Sequence, residues 1–288
     1  MPDTPIIAGL NILAPRYEAL ICDVWGVVHN GREVFPGLVE CLRRFRRERG
    51  IVLLLSNAPR PHAPIREQLA GFGAPADTYD TIVTSGDLTR QMMAEREPFK
   101  LHHVGPDRDL PLFEGLNVTR VPIAEAQAIV CTGPFDDTKE GPDDYRDYWQ
   151  AALTRKLPFY CANPDLVVQR GDRLIHCAGA LAQSYEELGG TVVYLGKPHL
   201  PVYDFVERQL AEVAGRTIPR GKWLAVGDGL NTDIAGAKRA GIDALLVTGG
   251  IHEPELSDAT GEPDPAKIAT VLTAQNLSAV AAMRRLVW

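Results

Sequence analysis

The sequence predicts an α/β protein built on a parallel sheet, with a second α/β domain inserted into it. Three observations predict this. Short apolar runs of buried-strand type alternate with helix-period segments in the opening third, the same alternation returns in the last third, and the stretch between carries strands and helices of its own. A parallel strand covered on both faces reads as a continuous apolar run, which is the form these segments take.

Taken in order, "ALICD" at 19–23 is the first buried strand, and Gly37 to Arg49 follows with Leu38, Cys41, Leu42 and Phe45 at helical spacing. "IVLLLSN" at 51–57 is the second strand. Between about 81 and 190 come "TIVTSG", "KLHHVG", "AQAIVCTG" and "PFYCAN" with their helices, enough chain for a domain of its own. The first domain then resumes with "TVVYLG", a helix from about Pro201 to Ala214, "KWLAVGDG", a helix from about Thr232 to Ala240, and "DALLVTGG". "GIHEPELSDATGEPDP" reads as a long polar connection to a terminal Ala/Leu-rich helix. The expected domains are therefore 1–80 with 190–288, and 81–189 inserted.

Composition narrows the function. The 288 residues are 45% hydrophobic, enough for a large core, and the net charge of −7 disfavours a nucleic-acid groove or an anionic membrane surface. No window approaches a membrane span, and the first residues lack a basic segment followed by an apolar one, so a cytoplasmic protein is expected. Five widely spaced cysteines without a C-x-x-C pair signal neither zinc nor a disulfide framework. A small-molecule substrate is the expected partner, and homo-oligomerisation is left open.

Ligands of open parallel sheets sit beyond the carboxyl ends of the strands. Four apolar runs end on residues suited to phosphate and magnesium: Asp23, Ser56 with Asn57, Lys197, and Asp228. Singly, each has an ordinary reading as a helix cap, a turn residue or a surface lysine. Together they fit phosphoryl transfer to a carboxylate. Asp23 is the candidate nucleophile, Asp23 and Asp228 the candidate magnesium ligands, Ser56 and nearby backbone N–H groups the phosphate holders, and Lys197 the charge-neutralising cation. Asp233 either favours a helix N-terminus or supports the metal and the lysine from behind.

The segments "DVWGVV", "LLLSNAPRP", "LGKPH" and "VGDGLNTDIAGAKRAG" resemble, in order, the four motifs of the haloacid dehalogenase superfamily. The insertion after the second motif is similar to the subgroup with a large α/β cap, and "TSGDLT", "ANPD" and "CAGALAQSYEELGG" extend the resemblance into that cap. The resemblance implies a Rossmann-like, doubly wound core, a mobile inserted cap that sets substrate specificity, and a magnesium-dependent aspartyl-phosphate mechanism on a small phosphorylated metabolite. It also implies that the main-chain carbonyl of Trp25 is a metal ligand, and that Asn163, Asp165 and Gly179 lie at the substrate. Plain loop chemistry is the other reading of those three, and for Gly179 the start of a helix.

One departure stands out. Phosphatases of this superfamily place an acid/base aspartate two residues after the nucleophile, where this chain has Trp25. An indole N–H donates a hydrogen bond but exchanges no proton near neutrality, and a positioned acid/base is worth about 10²–10⁴ in rate. His29 is the candidate substitute, with a surface or capping role as its other reading. Three functions follow: an active phosphatase, a phosphate-binding protein without turnover, and a dehalogenase, against which Asp228 and Asp233 argue.

Overall fold

The computed structural model describes residues 4–170 and 173–288. The chain divides into two compact units, 1–56 with 65–83 and 203–288, and 57–64 with 84–202.

The first unit is built on a six-stranded sheet. Its strands are β1 (Ala19–Asp23), β2 (Ile51–Ser56), β3 (Thr81–Thr84), and, from the end of the chain, β11 (Trp223–Gly227), β12 (Asp243–Val247) and β13 (Ala281–Met283), in the order β13-β12-β11-β1-β2-β3. β1 pairs in parallel with both β2 and β11, and β12 with β11 and β13. Every residue of β1 and β11 is buried, as both faces of a covered parallel sheet require. The helix α1 (Leu38–Glu48) buries Leu38, Cys41, Leu42 and Phe45, the stripe its spacing predicts.

The second unit holds β4 (Phe99–Val104), β5 (Val118–Arg120), β6 (Ala128–Cys131), β7 (Phe159–Cys161) and β10 (Val192–Tyr194), in the order β10-β7-β6-β4-β5, all parallel. A separate antiparallel hairpin pairs β8 (Val167–Arg170) with β9 (Arg173–His176). Trp149, Phe159 and Tyr185 meet ring to ring in the core beneath the sheet.

Two strands lie in the other sheet from the one their sequence order suggests. "TIVTSG" supplies β3 to the first sheet, and "TVVYLG" supplies β10 to the second, with Val192 opposite Phe159 and Tyr194 opposite Cys161. A three- or four-residue apolar run fits either sheet, and only its pairing decides. The division accordingly falls near 83 and 202, and the segment after β2 goes with the second unit. The terminal helix ends at Ala274, and β13 follows it. All five cysteines are buried, unlinked thiols, and no helix among the described residues is long and apolar enough to cross a membrane.

Candidate active site

In the first unit, β1 ends on Asp23 and β11 runs into Asp228. Asp233 lies in a short π-type turn over Leu230–Ile234 that opens the following helix. Carboxylate oxygens of Asp23, Asp228 and Asp233 all lie within 4.8 Å of one another, and the three residues are no more than 9% exposed. Close, buried like charges repel unless a cation sits among them. Three hard oxygen donors suit magnesium or calcium.

The backbone around the trio is shaped to admit it. A Cβ on Gly26 would lie 2.2 Å from Oδ2 of Asp228, and one on Gly250 2.0 Å from the same oxygen. Gly26 also has φ +88°, a left-handed conformation that glycine adopts without strain. Oδ2 of Asp228 accepts from the Ile251 N–H at 2.8 Å, and Oδ2 of Asp233 accepts from the Gly229 N–H at 3.1 Å. These bonds fix the direction in which each carboxylate points.

Trp25 is half-buried in the turn after β1, where the Gly26 N–H donates to the His29 carbonyl. Its indole nitrogen lies 3.6 Å from where a Gly31 Cβ would be. His29 is buried, meets Phe72 edge-on, and accepts the Gly31 N–H on Nδ1 at 2.9 Å. Burial pushes its imidazole down to about 4, so it is uncharged at neutral pH. This is the environment of a structural turn residue, and a poor one for a proton donor to a leaving group.

In the second unit, Asn57 holds the Lys197 main chain. Its Oδ1 accepts the Lys197 N–H at 2.8 Å, while its Nδ2 donates to the Lys197 carbonyl at 3.0 Å and to Oδ1 of Asp165 at 2.8 Å. The expected phosphate role of Asn57 therefore narrows to its backbone N–H, because its amide is occupied. Lys197, expected at the end of a strand of the first sheet, follows β10 of the second. Gly196 is required here, since a Cβ would lie 2.2 Å from the Ser85 Oγ and 2.6 Å from Oδ1 of Asn57. Asn163 orients Asp165 by accepting its N–H at 3.1 Å. Gly179 packs against the chain itself, its Cβ position lying 2.2 Å from the Pro164 carbonyl oxygen. That contact gives Gly179 a packing role against the chain at 164–165, in the first turn of the helix Ala178–Glu187.

Two family models match, one described as haloacid dehalogenase-like hydrolase over residues 20–119 and one as HAD-hydrolase-like over 194–274. The crystal structure of a hydrolase of the haloacid dehalogenase-like family from Brucella suis is 41% identical, with a TM-score of 0.84 over 98% of this chain and 100% of that one. The chain belongs to the haloacid dehalogenase-like hydrolases. Bovine chronophin is 24% identical over 278 residues, 88% of each chain. The 5'-nucleotidase YutF of Bacillus subtilis is 24% identical over 247 residues, 83% of this chain and 90% of its own.

This haloacid dehalogenase-like hydrolase has a further group of residues that its sequence does not announce. Arg60, Arg108, Asp109, Thr132 and Asp137 line a cavity of about 330 Å³ within the second unit. Asp109 and Thr132 follow the carboxyl ends of β4 and β6, so the strand-end rule applies to the second sheet as well as the first. Applied to "KLHHVG" and "AQAIVCTG", that rule was the available signal.

Proposed function

We propose that the chain is a magnesium-dependent phosphatase for a small phosphorylated metabolite, working through a phosphorylated Asp23. The convergence of Asp23, Asp228 and Asp233 carries this reading. Asp23, Asp228 and the main-chain carbonyl of Trp25 would hold magnesium, with Asp233 in support. The ion would neutralise charge as a phosphate ester approaches a carboxylate.

An oxygen of Asp23 attacks phosphorus, and the bond to the leaving oxygen breaks with its electron pair on that oxygen. Water then attacks the acyl phosphate, freeing Asp23 and inorganic phosphate. Ser56 and the Asn57 N–H hold non-bridging oxygens, and the Lys197 ammonium offsets their charge. These last three enter through the family motifs that contain them. With no carboxylate at position 25, the departing oxygen takes its proton from solvent.

Trp25 itself favours a second reading, a protein that binds phosphate esters without turning them over. A phosphate-ester panel assayed with and without magnesium, beside Asp23→Asn, separates the two. Magnesium-dependent phosphate release that Asp23→Asn abolishes supports the phosphatase. Release from no ester, with binding retained, supports the second reading.

A further inference from the structure

We propose that Arg285 sets how tightly the three carboxylates hold their metal, by keeping an unneutralised positive charge behind Asp228. The inference rests on the reading of Asp23, Asp228 and Asp233 as a magnesium site and adds a positioning residue to it, all within the first unit.

One short loop separates Arg285 from Asp228. The main chains of β12 and β13 stay paired past the strand ends, the Thr248 N–H donating to the Met283 carbonyl at 2.9 Å and the Gly249 N–H to the Arg284 carbonyl at 3.0 Å. Successive glycines of this loop face the two charged groups. A Cβ on Gly249 would lie 3.1 Å from Cζ and 3.2 Å from Nε of Arg285, and one on Gly250 would lie 2.0 Å from Oδ2 of Asp228. The Ile251 N–H then donates to that same oxygen. The guanidinium is near enough for its charge to act on Asp228.

Arg285 is held there without being neutralised. Its Cζ stands 4.0 Å from the centroid of the Phe35 ring, an arrangement that attracts a cation and leaves its charge in place. Phe35 is fixed in turn to the segment after β1, its N–H donating to the Val28 carbonyl at 3.0 Å. Nη1 of Arg285 is buried and has no hydrogen-bond partner among the described residues. Glu253 also acts on Arg285, but Arg284 stands 3.6 Å from that carboxylate while bonding Glu262 at 2.7 Å. Burial pulls the pKa of Arg285 down, and a guanidinium keeps its proton all the same.

A fixed cation acts on such a site in two ways. It relieves the repulsion among three crowded carboxylates when no metal is present, and it opposes the entry of a divalent ion. Both weaken the hold on magnesium relative to a neutral residue at 285. Because Arg285 is half-buried, salt screens the effect less than it would screen a surface charge. A residue that only shaped the loop would do the opposite when replaced, since a loosened Asp228 binds metal less well. The sign of the change separates charge from shape.

The test reads metal affinity from the rise of melting temperature with magnesium concentration, in the wild type, Arg285→Met, Arg285→Gln and Arg285→Lys. Arg285→Met keeps an apolar stem over Phe35 and removes the charge, so it should bind magnesium about threefold or more tightly. Arg285→Gln should do the same and covers a failure of the Met variant to fold. Arg285→Lys keeps the charge and should stay within about twofold of the wild type. Repulsion grows with the charge of the ion, so terbium(III), followed by its luminescence, should gain more than magnesium does. Weaker magnesium binding in the neutral variants gives Arg285 a packing role and overturns the proposal, as does an affinity within about 1.5-fold of the wild type. A terbium gain no larger than that for magnesium overturns it too. In all three cases the wild type still binds magnesium and the metal reading stands. A wild type that neither ion stabilises removes the metal reading, and this proposal with it.

Discussion

Asn57 grips the main chain of Lys197 with both ends of one amide, accepting its N–H at 2.8 Å and donating to its carbonyl at 3.0 Å. The two residues are 140 positions apart, one at the start and one near the end of the chain that forms the second unit. Asn57→Ala leaves two main-chain groups of Lys197 and one oxygen of Asp165 without this partner. The expected loss is about 2–4 kcal/mol, from three hydrogen bonds at about 0.5–1.5 kcal/mol net each. Urea denaturation should show it as a lower midpoint at unchanged slope. A loss under about 0.5 kcal/mol would mean that water replaces the amide at no cost.

Asp23→Asn should abolish turnover, by about 10³-fold or more, because an amide is no nucleophile. Without divalent metal its melting temperature should be at least that of the wild type, since one of three crowded negative charges is gone. Magnesium is expected to raise the melting temperature of the wild type, and to raise that of the variant less. An unchanged magnesium shift would remove Asp23 from the metal site.

Gly250→Ala and Gly26→Ala test the shape of that site without touching its charges. Each new Cβ would fall within 2.2 Å of Oδ2 of Asp228 and force the carboxylate aside. The variants should fold and lose most of the magnesium-dependent melting shift. Wild-type metal affinity in either would show that Asp228 is not a ligand.

Trp25 predicts a leaving-group dependence. Rates should fall steeply as leaving-group pKa rises, so aryl esters outpace alkyl ones, and an anomeric sugar phosphate outpaces the ester of a primary alcohol. Trp25→Asp should raise the alkyl esters more, by up to about 10²–10⁴, reduced by the hole an indole leaves. His29→Ala should leave the steepness unaltered, because a neutral, buried imidazole supplies no proton. A flat series in the wild type that steepens in His29→Ala would return the acid role to His29.

His29 also sets a pH effect on stability. Its imidazole titrates near 6.5 in an unfolded chain and near 4 when folded. As pH falls below about 6.5 the unfolded state binds a proton that the folded state refuses, so stability falls until about pH 4, where both are charged. The shift corresponds to about 3 kcal/mol. In His29→Gln the drop between pH 7 and pH 4.5 should be smaller than in the wild type by most of this amount. Identical drops in the two proteins would contradict the depressed value.

Where the chain's identity depended on long apolar runs and on a carboxylate at their end, the sequence could be read directly: β1, β2 and β11, with Asp23 and Asp228, are where their spacing puts them. The sheet to which β3 and β10 belong could not be read, because register between distant segments is a tertiary property. β5 and β13, three residues each, give no periodicity to detect. Asp109 and Thr132 escaped notice for another reason. Each is a common turn residue after a strand, and the contact between His103 and Thr132 exists only once β4 and β6 are paired.

That pairing has an evolutionary consequence. The codons for Arg108, Asp109, Thr132 and Asp137 sit in two loops that follow β4 and β6, apart from the stretches that encode Asp23, Asp228 and Asp233. A change in either loop leaves the stretches that carry the three carboxylates untouched. Paralogues that keep the three carboxylates are free to diverge at these four positions.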